Sequence, residues 1–281
     1  VNYRHIFHAG NFADVFKHAL LSRVLLYLGQ KPAAFRYIDT HAGTGSYNLA
    51  SEAARRSPEW KDGIARLTGA NLPPDVAPLL APYLAFATPM LAGDSPSYPG
   101  SPLIARHFTR SQDRLCLIEK HPVDIRHLRA ATAGDRRVKA LELDGWTAWN
   151  AQVPPPEKRG LVLVDPPFEE EADWQRMIEG LQQSHRKWPG GTTLLWYPAK
   201  DPRRVDGFID ALEDTGIAKT LRLELAVDRQ HADGPLAATG LVVVNPPYTL
   251  VEEARLILPF LARRLARGPG AGWRAEWIAE E

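Results

Sequence analysis

The sequence predicts an α/β fold built around a mostly parallel sheet. Three features carry that expectation. Apolar runs without polar alternation, such as Leu161-Val162-Leu163-Val164, read as strands buried on both faces. Several of these runs end in an acid or a glycine turn, at the strand ends where open α/β sheets bind ligands. Helical segments separate them, which is the rhythm of crossover units.

At 281 residues the chain is one large domain or a domain with an insertion. Its net charge is +1, so any nucleic-acid contact must come from a local patch. A single cysteine, Cys116, excludes an internal disulfide and a cysteine zinc cage, and fits a reducing compartment. It lies in an apolar run and reads as core. No apolar run is long enough to span a bilayer. The expected setting is cytoplasmic, with no membrane.

Asn2 to Asn11 is polar, aromatic and rich in histidine, with Tyr3, Arg4, His5, Phe7 and His8. Phe12 to Leu28 reads as a helix with Asn11 as N-cap and Gly29 and Pro32 as stops. Lys17 and His18 fall inside it. A lone helical histidine is more often a surface or satisfied core residue than a functional one. Phe35 to Asp39 is the first strand, and it runs into Asp39-Thr40-His41-Ala42-Gly43-Thr44-Gly45. An acid and a Gly-x-Gly turn after a strand bring backbone close to a bound cofactor. Position 48 is Asn, so the third glycine of the dinucleotide fingerprint is missing. S-adenosylmethionine has no pyrophosphate to cradle and tolerates that loss.

Residues 50–97 break the rhythm and read as an inserted helical subdomain, flanked by the sheet-forming parts 1–49 and 98–281. Eight prolines fall between Pro73 and Pro102, with short helical pieces around Glu59–Leu67 and Pro78–Ala87 and no strand pattern. Tyr98-Pro99-Gly100-Ser101-Pro102 closes the insertion, with Ser101 as the expected N-cap of the next helix.

The second strand, Arg114 to Ile118, ends at Glu119, where an acid meets ribose hydroxyls in this fold class. A helix from Val123 to Ala131 follows. The third strand, Val138 to Leu143, ends in Asp144-Gly145-Trp146. Asp144 could accept from an adenine amine; a strand-ending Asp-Gly is also simply a good turn. The fourth strand ends in Asp165-Pro166-Pro167-Phe168. Each proline fixes φ and lacks a donor, so the ladder stops there. The corner presents a carboxylate, two carbonyls and a ring, which suits a planar base with an exocyclic amine. A strand ending at Pro-Pro with an incidental acid is as good a reading of these four residues alone.

A helix from Ala172 to Lys187 and a fifth strand, Thr192 to Tyr197, follow. Asp201-Pro202 starts a helix that runs to Thr215. Lys219 to Val227 alternates and reads as a half-buried edge strand. Ala238 to Val244 is the seventh strand and ends in a second corner, Asn245-Pro246-Pro247-Tyr248. A helix, Val251 to Ala266, and a terminal strand, Trp273 to Ile278, complete the chain. Strand count separates the two corners. In the order 3-2-1-4-5-7-6 of class I methyltransferases, strand four lies beside strand one, so Asp165 shares an edge with Gly43. Strand seven runs antiparallel and puts Asn245 at the opposite edge, as a structural turn.

With these residues in hand, the chain resembles the bacterial 23S ribosomal RNA adenine-N6 methyltransferase family J. The likeness covers nearly the whole length. It rests on Tyr3-Arg4-His5, Phe7-His8-Ala9-Gly10-Asn11, Asp14-Val15, Lys17-His18, Asp39-Thr40-His41-Ala42-Gly43, Tyr98 to Arg106, the Asp165 corner and Val244-Asn245-Pro246-Pro247. It departs from the family at Thr44, Ser46, Phe168 (a tyrosine there) and Tyr248. The resemblance implies a Rossmann-like class I S-adenosylmethionine-dependent methyltransferase with a seven-stranded mixed sheet and a small inserted helical subdomain. It implies methyl transfer to N6 of an adenine in 23S ribosomal RNA, leaving S-adenosylhomocysteine. His18, His41, Ser101, Glu119, Asp144, Gly145 and Asp165 would line the S-adenosylmethionine site, and Tyr3 would contact RNA. Gly43 joins that site through its turn.

Asp165 is then the catalytic acceptor, with the Pro166 carbonyl beside it and Phe168 stacking on the base. Arg4, Lys17, Arg229 and His231 are the candidate phosphate contacts. No metal is expected. The expected state is a monomer acting on 23S ribosomal RNA, free or in early assembly. Two alternatives use the same residues: a DNA adenine-N6 methyltransferase, and a non-catalytic nucleic-acid-binding protein linked to use of external DNA.

Overall fold

The computed structural model describes residues 5–232 and 234–280. Tyr3 and Arg4, two of the residues expected to face RNA, lie outside the described residues. Helix α1 (Phe12–Gly29) precedes strand β1 (Arg36–Asp39) and the short β2 (Ser46–Asn48). Helices α2 (Glu52–Arg56) and α3 (Ala77–Ala87), with 3-10 turns between and after them, lead to β3 (Ser97–Pro99). Next come α4 (Ser101–Phe108), β4 (Arg114–Ile118), α5 (Asp124–Ala131), β5 (Val138–Leu141), α6 (Gly145–Gln152) and β6 (Gly160–Val164). The last third is α7 (Ala172–Lys187), β7 (Thr192–Pro198), α8 (Pro202–Glu213), β8 (Thr220–Ala226), β9 (Ala238–Val244), α9 (Leu250–Leu265) and β10 (Gly272–Ala279).

The main sheet runs β10-β8-β9-β7-β6-β1-β4-β5. β1, β4, β5, β6 and β7 are parallel. β9 is antiparallel to both of its neighbours, β7 and β8. The expected order of seven strands is therefore present, with an eighth added at one margin. That eighth strand, β10, pairs antiparallel with β8 and takes the edge position from it. β8 is interior, and its polar alternation has another cause. Arg222, 6% exposed, is held by Glu224 and Glu276 on one face of the ladder. The alternation reports a buried ion pair, not a solvated edge.

Each central strand feeds two cores because successive side chains point to opposite faces. Leu161 and Leu163 pack with α1, α4, α9 and residues of the 52–91 segment. Val162 and Val164 pack with α6, α7 and α8, and Cys116 is buried on this side. α1 is apolar almost all round and buried almost all round, as such helices are. The sheet covers one side of it and α3, α4 and α9 cover others. This burial takes Lys17 and His18 out of solvent. The stretch 50–100 also contains a strand that its sequence does not announce. β3 pairs antiparallel with β2 through Ser46↔Pro99 and Tyr47↔Tyr98, too short a contact to leave a periodic pattern. Among the described residues, no helix is long and apolar enough to cross a membrane.

Candidate active site

The corner after β6 and the turn after β1 lie at the same sheet edge. Asp39 pairs in register with Leu163, and the Thr40 N–H and hydroxyl both donate to the Leu163 carbonyl, at 3.0 and 3.1 Å. Asp165 follows two residues later. Its Oδ2 accepts from Lys17 Nζ at 2.5 Å, and its Oδ1 has no hydrogen-bond partner among the described residues. Lys17 also reaches Asp14 Oδ1 at 3.0 Å. Asp14 Oδ2 in turn accepts from the Gly10 N–H and contacts His5 Nε2, each at 2.9 Å.

Asp14 and Lys17, one turn apart on α1, thus extend a buried charge chain to the corner. Burial alone would favour a neutral lysine, but Asp165 and Asp14 on either side raise its pKa, so it stays an ammonium. Burial likewise works to raise the Asp14 carboxyl, and His5 and Lys17 hold it well below the usual range. The expectation that Lys17 contacts RNA phosphate is corrected here. Its side chain is 4% exposed and its charge is spent on two carboxylates. It also sits 5.5 Å from the centre of the Trp196 ring on β7.

The other side of the edge holds the remaining candidates. The Gly43 N–H donates to Glu119 Oε2 at 2.8 Å, and the His121 N–H donates to Glu119 Oε1 at 2.7 Å. Each oxygen keeps a lone pair for a hydroxyl. Burial raises the pKa of this carboxyl. Gly43 has φ +62°, and a Cβ there would meet the Tyr47 hydroxyl at 2.3 Å, so the turn requires glycine. Asp144 caps α6 through the Thr147 N–H at 3.1 Å and pairs with Lys120 at 3.0 Å. Burial pushes its pKa up, but Lys120 and Thr147 bring it below the ordinary value. Gly145 packs where a Cβ would strike the Thr40 carbonyl at 2.2 Å and the His41 ring at 2.9 Å. His41, half-buried, is pushed down to about 4 by burial and stays neutral at pH 7. Its Nδ1 lies 2.8 Å from the Thr40 hydroxyl.

Ser101 does not cap α4. Gly100 takes the N-cap position, and the Ser101 hydroxyl donates to Asp39 Oδ2 at 2.7 Å. Asp39 is fully buried, also accepts from the Tyr37 hydroxyl at 2.7 Å, and is raised by burial to about 6. His18 is pushed down to about 3 by burial. Its Nδ1 lies 2.7 Å from the Tyr98 hydroxyl, while its Nε2 is buried without a partner among the described residues. An orphaned buried nitrogen is costly and marks a place where a ligand group completes the bonding. Together with carboxylates ending β4 and β5 and a tight glycine turn after β1, it gives the donor and acceptor set that a nucleoside with an amino-acid tail requires. The residues present therefore fit S-adenosylmethionine.

Phe168 has φ +51°, a strained value for a bulky residue and of the kind that clusters at working sites. Its ring packs against Trp174 and Trp196, with centroids 4.8 and 5.8 Å away. Asn245 lies at the other edge, beside the start of β7, because Val244 pairs with Thr193. Its Nδ2 donates to the Pro189 and Gly191 carbonyls at 2.7 and 2.9 Å. Asp14, Tyr37 and Trp196 were not expected at the site, and Asp39 was expected only as the acid of the glycine turn, not as the acceptor for Ser101. Asp14 carried a usable signal, since an acid three residues before a lysine on a helix predicts a pair on one face.

An open sheet in this order, with β9 reversed beside β7 and its ligand-side chemistry after β1, β4, β5 and β6, defines a class I, Rossmann-like methyltransferase. The chain belongs to the family described as Ribosomal RNA large subunit methyltransferase D, RlmJ, whose model matches residues 32–279. It is 38% identical to the Ribosomal RNA large subunit methyltransferase J of Escherichia coli (strain K12), over 100% of both chains. The protein of that name from Haemophilus influenzae is also 38% identical, again over 100% of both chains. The crystal structure of a Legionella pneumophila protein superposes with a TM-score of 0.86 at 33% identity, covering 96% of this chain and 98% of that one.

Proposed function

We propose that this chain transfers a methyl group from S-adenosylmethionine to N6 of an adenine in 23S ribosomal RNA. The carrying observation is the Asp165 carboxylate, with one oxygen fixed by a buried ammonium and the other open at the ligand edge of the sheet. Family membership and the two full-length relatives support large-subunit ribosomal RNA as the substrate.

Bound S-adenosylmethionine supplies an electrophilic methyl on its sulfonium. His18, His41, Gly43, Ser101, Glu119, Asp144 and Gly145 would hold it. The adenine N6 lone pair is delocalised into the ring and is a poor nucleophile. Asp165 Oδ1 and the Pro166 carbonyl accept the two amine hydrogens, which favours a pyramidal nitrogen with a localised pair. Lys17 fixes the orientation of Asp165 through Oδ2 and, being already protonated, does not serve as the base. As the N–C bond forms, the sulfonium S–methyl bond breaks and its electron pair stays on sulfur, leaving S-adenosylhomocysteine; the amine becomes acidic, and its proton passes to Oδ1. Phe168 holds the base by stacking, and a near-attack separation of about 3–3.5 Å makes much of the acceleration positional. The adenine must leave its stack to enter the corner, which favours single-stranded or poorly paired RNA, free or early in assembly.

Ribosomal RNA from a strain lacking this gene is the direct test. Incubation with the protein and S-adenosylmethionine should place one N6-methyladenosine in 23S RNA. Incorporation into adenine-containing DNA instead of that RNA would overturn the reading.

A further inference from the structure

We propose that the surface formed by the last turn of α9, the 266–272 loop and Trp273 is a second RNA-binding site, one that takes an unpaired base flanking the target adenine. The inference rests on the methyltransferase reading above and extends it to where the rest of the RNA lies.

Position comes first. Gly272, at the start of β10, pairs with Ala226 at the end of β8, so Trp273 lies at the same edge of the sheet as Asp165. Four strand spacings of about 4.8 Å separate β6 from β10, a span of roughly 19 Å along the rim. The 266–272 loop is bound to the end of β8, because the Arg267 and Gly268 N–H groups both donate to the Val227 carbonyl. Arg267 ties this ridge to the start of α1. Its guanidinium donates to the Leu236 carbonyl and lies 5.1 Å from the centre of the Phe12 ring, at the start of the helix that carries Lys17.

Charge comes second. Arg229, Arg263, Arg264 and Arg267 are all exposed, and none has a carboxylate partner among the described residues. Elsewhere many arginines are paired, as in Arg23 with Glu253, Arg36 with Glu157 and Arg106 with Asp135. Cations at a helix C-terminus offset the helix dipole, which accounts for Arg263 and Arg264 in part. It does not account for Arg229, which comes from the β8–β9 connection, or for an indole beside them.

Shape comes third. Trp273 is 44% exposed and forms one wall of a shallow depression with Arg263, floored by Pro259, Ala262 and Ala266. A flat ring, an adjacent guanidinium and an apolar floor are what a nucleobase stacks on, and surrounding arginines track its phosphates. The cationic rim matches a polyanion.

The test uses the full chain and a fluorescent ribosomal RNA hairpin with single-stranded extensions on both sides, titrated at several salt concentrations. Wild type should bind the extended hairpin about tenfold more tightly than the hairpin alone. Trp273→Ala should erase that difference, in line with the usual cost of losing one base stack, and Trp273→Phe should keep most of it. Arg263→Gln with Arg264→Gln should lower the slope of log K against log salt by about 1.4, two single-strand phosphate contacts. Arg203→Gln, an exposed arginine on α8, is the control and should change neither. Calorimetry with S-adenosylmethionine confirms that each variant is folded. Variants that bind like wild type with an unchanged salt slope overturn the proposal. So does a wild-type dimer that Trp273→Ala dissociates, which assigns the ridge to a second copy. Failure of the wild type to methylate the hairpin at all would instead strike the parent reading.

Discussion

Two corners of this sheet have nearly the same sequence, Asp165-Pro166-Pro167-Phe168 and Asn245-Pro246-Pro247-Tyr248, and opposite surroundings. Both contain a residue in the left-handed region, Phe168 at φ +51° and Asn245 at φ +50°. Asparagine adopts that conformation readily and phenylalanine does not. At the first corner a buried lysine holds one carboxylate oxygen and leaves the other open. At the second, both donors of the asparagine amide are spent on backbone carbonyls of the α7–β7 connection. Phe168 packs against two indoles, whereas Tyr248 is 81% exposed. The lesson is that a short motif acquires chemistry from strand direction. β6 runs parallel to β1 and delivers its corner to the ligand edge, while β9 runs the other way.

Exchange of function between the corners gives the largest expected contrast. Asp165→Asn should lower kcat by about 100- to 1,000-fold, the usual loss when a group that stabilises transition-state charge is removed. Asn245→Ala should leave kcat within a fewfold. Single-turnover methylation of an RNA hairpin measures both, and the reverse ranking would break the comparison. Lys17→Met comes next, with an expected loss of about 100-fold in kcat. Acetylated or otherwise uncharged lysine at this position should do the same, since what matters is the ammonium between Asp14 and Asp165. Retained activity would mean that Asp165 orients itself without help.

Asn245→Asp sharpens the contrast from the other side. The carboxylate cannot donate to the Pro189 and Gly191 carbonyls, so the substitution should cost about 2 kcal/mol, two lost bonds plus the repulsion of facing acceptors. A urea midpoint unchanged from wild type would show that the amide bonds contribute nothing. Among these effects the pH dependence of stability is expected to be the smallest, because its parts oppose one another. His18 and His41 are pushed by burial to about 3 and about 4, below the value of about 6.5 that they have in the unfolded chain. The stability they permit is complete above about pH 6.5 and is lost as pH falls toward 4. Asp39 is raised by burial to about 6, so its contribution runs the other way, greatest at acid pH and lost as pH rises through 6. Two histidines against one acid leave stability falling with acid. Asp39→Asn should steepen that fall in urea midpoints taken between about pH 4 and 7, and parallel curves would remove the buried acid from the account.

Much of this was legible in the residues. Leu161 to Val164, Val242 to Val244 and Leu115 to Ile118 are apolar on both faces and announce a layered sheet. The strands ending at Asp39, Glu119, Asp144 and Asp165 follow in order, and that order alone separates Asp165 from Asn245. The roles of Ser101 and Lys17 were not legible. Ser101 follows a glycine and precedes a proline, a pattern for a cap, and only the approach of Asp39 diverts its hydroxyl. β8 alternates like an edge strand, and only the return of the chain at β10 covers it.

The sequence by itself determined the periodicities: which segments form the strands of the main sheet, where prolines and glycines stop them, and hence the order of that sheet. Those are local properties, set by side-chain spacing and backbone sterics. The tertiary structure alone decided which charges far apart in the chain meet. Asp165 and Lys17 are 148 positions apart in the chain and 2.5 Å apart in space. Whether a lysine on an apolar helix faces water or a carboxylate depends on what covers that helix, and no local rule contains that information.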